Sequence, residues 1–132
     1  MTKLLELFRC EICNNLVEIE HEGAGTLVCC NQDMKLVEEH EAKPENAHYA
    51  HIETTVNQDG SKVITVKFNH GMTYEHHIEF IEAISKDKKY TKKKFLKFDE
   101  TPEMVIKCHC NEGFYIRLYC NKDGCWTTKT EI

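Results

Sequence analysis

Residues 10–34 read Cys10-Glu-Ile-Cys13-Asn-Asn-Leu16-Val-Glu-Ile-Glu-His21-Glu-Gly23-Ala-Gly25-Thr-Leu-Val-Cys29-Cys30-Asn-Gln-Asp-Met34. A Cys-x-x-Cys turn places two thiolates on one side of a tight loop. A second pair arriving after a 15-residue spacer completes a tetrahedron around one ion. The second pair is vicinal, and adjacent residues restrict the angle between their two metal bonds, so the tetrahedron is expected to be distorted. Leu16–Glu20 and Thr26–Val28 have strand character, and a hairpin through Gly23 and Gly25 is expected to bring the pairs together. A module this small has little apolar core, so metal binding supplies much of its folding free energy. Spacing alone does not separate iron from a structural zinc ribbon, because the same four sulfurs serve both.

The composition of the whole chain fits this assignment. It has 132 residues, 41% hydrophobic and 30% charged with 2 Pro, which is globular material and excludes collagen-like and disordered classes. No run approaches the ~18 apolar residues of a membrane helix, and charge interrupts the N-terminal stretch before any signal-peptide core forms. A cytoplasmic protein is therefore expected, one in which 8 Cys serve metals rather than disulfides. A net charge of −5 argues against a nucleic-acid or acidic-membrane surface.

Residues 35–47 are polar, contain Pro44 and lack periodicity, and so read as a linker. Beyond them, Val63–Phe68, His77–Ile81, Phe95–Phe98, Met104–Lys107 and Phe114–Tyr119 have β character, separated by turn signals such as Asp59-Gly60 and Asn111-Glu112-Gly113. An antiparallel β-sandwich is the expected packing, with functional side chains on loops at one end. Two loop segments carry ligand-type residues: Asn69-His70-Gly71-Met72-Thr73-Tyr74-Glu75-His76-His77-Ile78, and Cys120-Asn121-Lys122-Asp123-Gly124-Cys125-Trp126.

The first segment with its vicinal pair, Leu-Val-Cys29-Cys30-Asn-Gln-Asp-Met34, resembles the desulforedoxin module, which holds one iron on four cysteines. The two loop segments resemble the superoxide reductase domain, whose stretches run His-Pro-Met-x-x-x-His-x-Ile and Cys-Asn-x-His-Gly-Leu-Trp. Residues 5–128 together resemble the desulfoferrodoxin family, the two-iron superoxide reductases. This resemblance implies an all-β fold. A four-cysteine iron module over residues 1–36 (Cys10, Cys13, Cys29, Cys30) precedes an immunoglobulin-like antiparallel sandwich over residues 37–132. It further implies a second iron held by four equatorial histidines and one axial cysteine, reducing superoxide to hydrogen peroxide. In that scheme the four-cysteine iron is an electron-transfer centre, a rubredoxin-type or other protein is the donor, and the chain forms a homodimer.

Carried over residue by residue, the resemblance assigns His70, His76 and Cys120 to the second iron. His48 joins them through the alignment of Ile52-Glu53, with His51 as its competitor. Two positions depart from the family pattern: Ala47 stands where the family has a lysine that attracts the anion, and Asp123 where it has the last histidine. A carboxylate Oδ lies as many bonds from the backbone as an imidazole Nδ1, so Asp123 is expected as a weaker fifth ligand of the same ion or as a base beside it, and as a ligand it stabilises the ferric state and lowers the potential. Both departures repel an incoming anion. The expectation is an oxidoreductase of attenuated rate. Its competitor is a non-catalytic electron-transfer or metal-binding protein with a degenerate second site, and zinc is a possible substitute for either iron.

The remaining candidates have plainer readings. Cys125 is expected buried under Trp126, Cys108 and Cys110 as two free thiols, His21 and His40 solvated, His77 beside the site, and His109 across the sheet from the two thiols. Residues 86–94, with six lysines, read as a solvated hairpin or as a docking face for an acidic electron donor.

Overall fold

The computed structural model describes residues 1–109 and 113–130, so Cys110 lies outside the described residues. Among these residues every regular element is a strand. The chain divides into two compact units, Met1–Glu38 and Glu39–Ile132.

The first unit contains β1 (Leu7–Arg9), β2 (Leu16–Glu18), β3 (Val28–Cys29), β4 (Gln32–Asp33) and β5 (Lys35–Leu36). They form a three-stranded sheet in the order β2-β1-β5 and a separate β3-β4 hairpin. The expected hairpin through Gly23 and Gly25 does not form, because β2 pairs antiparallel with β1, Phe8 opposite Val17. The connection between those strands is the Cys-x-x-Cys turn itself. The Asn14 N–H donates to the Cys10 carbonyl and the Cys10 N–H to the Asn15 carbonyl, both at 2.9 Å. A short loop closed by its own hydrogen bonds costs less closure entropy than the glycine loop would. After β2 the chain instead runs back along the N-terminus, where the Leu5 N–H donates to the Ile19 carbonyl at 2.7 Å.

The vicinal cysteines are explained by the second hairpin. Cys29 pairs with Gln32, leaving a two-residue loop of Cys30 and Asn31 with φ of 53° and 62°. Two successive left-handed residues are the mark of a type I′ turn, whose twist matches that of the flanking strands. Cys30 thus leaves the strand in a direction different from Cys29, which is how neighbouring residues present two sulfurs to one point.

The second unit contains β6 (Glu39–Glu41), β7 (His51–Val56), β8 (Lys62–Lys67), β9 (Ile78–Ser85), β10 (Thr91–Phe95), β11 (Glu103–Cys108), β12 (Phe114–Cys120) and β13 (Gly124–Thr130). A five-stranded sheet, β10-β9-β12-β13-β6, faces a three-stranded sheet, β11-β8-β7. Their inner faces alternate into one core that includes Ile64, Val66, Ile81, Met104, Ile116 and Leu118. The all-β sandwich expected from the alternation is thus the fold observed.

Several local expectations change. Residues 35–47 are not a plain linker: Lys35–Leu36 pairs with β1, and Glu39–Glu41 runs parallel to β13. The tie at β6 is tertiary, since Glu39 Oε1 accepts from Arg117 Nη1 at 2.7 Å across 78 positions of sequence. Arg117 is buried, and its Nη2 also meets Glu82 Oε1 at 2.6 Å. Phe95 closes β10 rather than opening a strand over 95–98. The basic run is not simply solvated either: Lys92 Nζ donates to the Val105 carbonyl at 2.6 Å and Lys94 Nζ to the Glu103 carbonyl at 3.0 Å. These two ammonium groups clasp β10 to β11 where the edges of the two sheets meet.

Strand β11 pairs with β8, whereas β12 pairs with β9 and β13, so β11 and β12 belong to different sheets and are not a hairpin. Cys108 is disulfide-bonded rather than a free thiol. Cys125 is fully buried, but on the face of β13 opposite Trp126, because neighbouring strand residues alternate.

Candidate metal centres and the family of the chain

In the first unit, Cys10, Cys13, Cys29 and Cys30 converge with all four sulfurs within 4.8 Å of one another. Cys13 Sγ lies 3.6 Å from Cys29 Sγ, and Cys29 Sγ lies 3.9 Å from Cys30 Sγ. With metal–sulfur bonds of about 2.3 Å, the edge of a tetrahedron is about 3.8 Å, so these spacings suit one ion. They are far longer than a disulfide bond, and all four cysteines are free. The Cys13 N–H donates to Cys10 Sγ at 3.5 Å. That amide is the main cause that brings the Cys10 thiol down to about 6, while hydrogen bonds from Cys13 and Cys10 hold Cys30 up at about 12. The four thiols share protons that an incoming cation displaces.

The second cluster lies at one end of the sandwich, where β8 leaves, β9 begins and β12 turns into β13. His48 is on the turn before β7, His70 and His76 are on the loop between β8 and β9, and Cys120 is the last residue of β12. A bulge supports this end: the register of β12 against β9 slips between Tyr119 and Cys120, so Cys120 faces Ile78 and Glu79 is skipped. The turn into β13 places Asp123 next, with Gly124 at φ 79°, a left-handed conformation suited to glycine.

Asp123 Oδ2 sits among the other donors. It is 2.9 Å from His48 Nε2, 2.8 Å from His76 Nε2, 3.8 Å from His70 Nε2 and 3.6 Å from Cys120 Sγ. With bonds of about 2.1 Å to nitrogen or oxygen, ligands at right angles stand about 3.0 Å apart and opposed ligands about 4.2 Å apart. His48 and His76 match the first separation and His70 approaches the second. His48, His70, Cys120 and Asp123 therefore suit a single ion, their donor atoms all within 4.8 Å of one another and the sulfur of Cys120 3.5 Å from His70 Nε2, while His76 reaches this group through its contact with Asp123.

Protonation suits the same purpose. Burial holds His48 below its ordinary value despite the pull of Asp123, so at neutral pH the His48–Asp123 contact is a neutral imidazole on a carboxylate rather than an ion pair. For Asp123 the upward push of burial is outweighed by hydrogen bonds from His76 and His48, and its carboxyl lies below the usual range. His70 Nδ1 is 2.6 Å from the Gly71 carbonyl, which makes Nδ1 the protonated nitrogen and leaves Nε2 free to ligate.

His51 stands apart, in β7 and edge-on to Tyr49. His77 points its Nδ1 at the Thr73 carbonyl, 3.0 Å away, rather than into the cluster. Two residues without an assigned role in the sequence analysis support the site. The Asn121 side chain accepts from the His77 N–H at 3.0 Å and donates to the Glu75 carbonyl at 3.0 Å, binding the histidine loop to the β12–β13 turn. Trp126 stacks on His48.

Two family models cover nearly the whole chain, the desulfoferrodoxin N-terminal domain over residues 2–37 and desulfoferrodoxin over residues 37–129. The chain belongs to the desulfoferrodoxin family. Among its relatives, the desulfoferrodoxin of Desulfarculus baarsii is 39% identical over 127 residues, covering 96% of this chain and 97% of its own. The desulfoferrodoxin homolog of Methanothermobacter thermautotrophicus is 38% identical over 128 residues, covering 96% and 99%. The desulforedoxin of Megalodesulfovibrio gigas is 48% identical over 29 residues, covering 22% of this chain and 78% of its own. Among solved structures, the superoxide reductase from Treponema pallidum has the same fold, with a TM-score of 0.67 at 20% identity, covering 93% of this chain and 96% of that one. Family membership is consistent with an oxidoreductase, and no helix among the described residues is long and apolar enough to cross a membrane.

Proposed function

We infer that this member of the desulfoferrodoxin family reduces superoxide to hydrogen peroxide at the second cluster, at an attenuated rate. Each turnover joins one superoxide, one electron and two protons into one hydrogen peroxide. The observation that supports this reading is the convergence of His48, His70, Cys120 and Asp123, whose donor atoms lie within 4.8 Å of one another, with His76 Nε2 2.8 Å from Asp123 Oδ2 as the remaining ligand of the proposed iron. When bound, that iron supplies the electron. The neutral imidazoles suit the ferrous state, and the Cys120 thiolate donates electron density to it. The Asp123 carboxylate adds a negative charge that favours the ferric state, which makes re-reduction harder and repels the substrate anion.

In this assignment residues 1–36 form the four-cysteine iron module and residues 37–132 the catalytic domain. The first iron relays electrons from a rubredoxin-type or other donor protein in the cytoplasm. Zinc takes either donor set without offering redox chemistry. After anaerobic iron loading, two irons per chain and consumption of superoxide by the reduced protein are expected. Cys30→Ser is expected to change the absorption of the four-cysteine centre strongly while single-turnover superoxide consumption persists. A filled ferrous second site that consumes no superoxide overturns the assignment in favour of a binding or electron-transfer protein.

The first unit also leaves Ile12, Val28 and Leu36 exposed, and so short a module gains core by pairing with a second copy. Sedimentation at micromolar concentration is expected to show a homodimer, and a single monomeric species overturns that expectation.

A further inference from the structure

Trp126 lies beside the second cluster and makes two contacts of different kind to two of its members. Its ring stacks on His48 at 4.6 Å between centroids with the planes 10° apart. Its Nε1–H donates to the backbone carbonyl of Asp123 at 2.8 Å. His40 also lies against the indole, 4.9 Å away and tilted by 41°. The register explains the arrangement, since Trp126 is the β13 residue paired with Leu118 of β12 on one side and with His40 of β6 on the other. The indole is therefore held by sheet pairing, whereas His48 and Asp123 lie on turns outside any strand.

His48 is on a turn outside any strand. The backbone there is tied only by local bonds, such as the Tyr49 N–H to the Asn46 carbonyl at 3.2 Å, and by the Ala50 N–H to Thr128 Oγ1 at 3.1 Å. Nothing in those bonds fixes the imidazole plane. His70 differs, because its Nδ1 is anchored on the Gly71 carbonyl. Among the described residues no carbonyl or carboxylate anchors the Nδ1 of His48, and the parallel indole supplies the constraint instead. Asp123 presents the complementary problem. A carboxylate is smaller than an imidazole and rotates about its terminal bond, so its aim depends on where its own backbone is held. The Asp123 N–H is 3.4 Å from Cys120 Sγ, and its carbonyl is fixed by the indole.

We propose that Trp126 is the positioning residue of the altered centre, its ring setting the plane of His48 and its N–H setting the aim of Asp123. This rests on the assignment of His48 and Asp123 as ligands made above. The two contacts are separable, because Trp126→Phe keeps an aromatic face and loses the N–H, and Trp126→Leu loses both. Losing one hydrogen bond predicts about fivefold weaker ferrous binding for Trp126→Phe. Removing an outer partner of metal ligands predicts about 10–100-fold weaker binding for Trp126→Leu.

The test is competition for ferrous iron between a chelator and the full chain with its four-cysteine centre already loaded. It is read at the absorption from the Cys120 thiolate after oxidation and repeated in the Asp123→Ala background. The expected result is a graded loss, Trp126→Phe then Trp126→Leu, with a shifted thiolate band in the leucine variant. The phenylalanine effect is expected to vanish when Asp123 is already alanine. Metal-free thermal unfolding of Trp126→Phe close to that of the unaltered chain is expected as well, which separates positioning from general stability. Equal affinities and an unmoved band overturn the proposal, as does a phenylalanine effect of undiminished size in the Asp123→Ala background. An unaltered chain that takes up no second iron overturns the underlying ligand assignment instead.

Discussion

Changing Asp123 to His and Ala47 to Lys together is expected to raise the second-order rate of reduction of superoxide by the ferrous protein at least tenfold. Two charges change in the same sense. The carboxylate beside His48 and His76 becomes neutral, and a cation is placed at Ala47, an exposed position one residue before His48. At an effective dielectric near 20, a unit charge at ~4 Å contributes about 4 kcal/mol, and electrostatic steering changes association rates by about 10–10³-fold. Because attraction of an anion is screened by ions, the double variant is also expected to show the steeper fall in rate as ionic strength rises. Stopped-flow decay of superoxide at two salt concentrations measures both effects. An unchanged rate in the double variant means that encounter with the anion does not limit this protein.

The second large effect concerns folding of the sandwich. Arg117 and Glu82 have side chains only 1% and 2% exposed, and they meet at 2.6 Å. Glu39 shares the guanidinium from the strand that brings His40 to Trp126. Arg117→Leu removes the guanidinium from the buried Glu82 carboxylate and leaves Lys93 Nζ 3.8 Å away. Breaking a buried pair in this way costs about 3–5 kcal/mol, which lowers the melting temperature of a domain this size by roughly 15 °C or more. Replacing both members by leucine is expected to recover much of the loss, because an apolar pair carries no desolvation cost. Thermal unfolding of the single and double variants decides it. A loss below about 1 kcal/mol in the single variant means that the pair contributes as little as a surface bridge.

The same ion pair shows where the amino-acid sequence stops being legible. Cys10, Cys13, Cys29 and Cys30 were readable as one centre because thiolate spacing is local and few other uses explain it. The alternation in Val63–Phe68 and Phe114–Tyr119 announced a half-buried sheet for the same reason. Strand β6 carried no such signal: it is three exposed residues in a polar stretch, and only the distant Arg117 and the pairing with β13 make it a strand. The partner of β2 was misplaced because glycines suggested a hairpin, whereas the closed cysteine turn pairs β2 with a three-residue strand too short to show a period. At the second cluster, ligand-type residues were visible in the loops. That Asp123 is turned toward His48 and His76, and that Trp126 lies flat on His48, depends on strand register, which no window of sequence contains.

The lysine clasp between β10 and β11 bears on how the molecule meets others of its kind. An edge strand normally offers a row of open carbonyls and amides to any passing strand, and native proteins protect such rows. Here the carbonyls of Glu103 and Val105 are already taken by the ammonium groups of Lys94 and Lys92. A strand approaching along this flank would have to displace two charged donors. The flank therefore resists templated, fibril-like growth, and controlled self-association is left to the other surfaces of the chain.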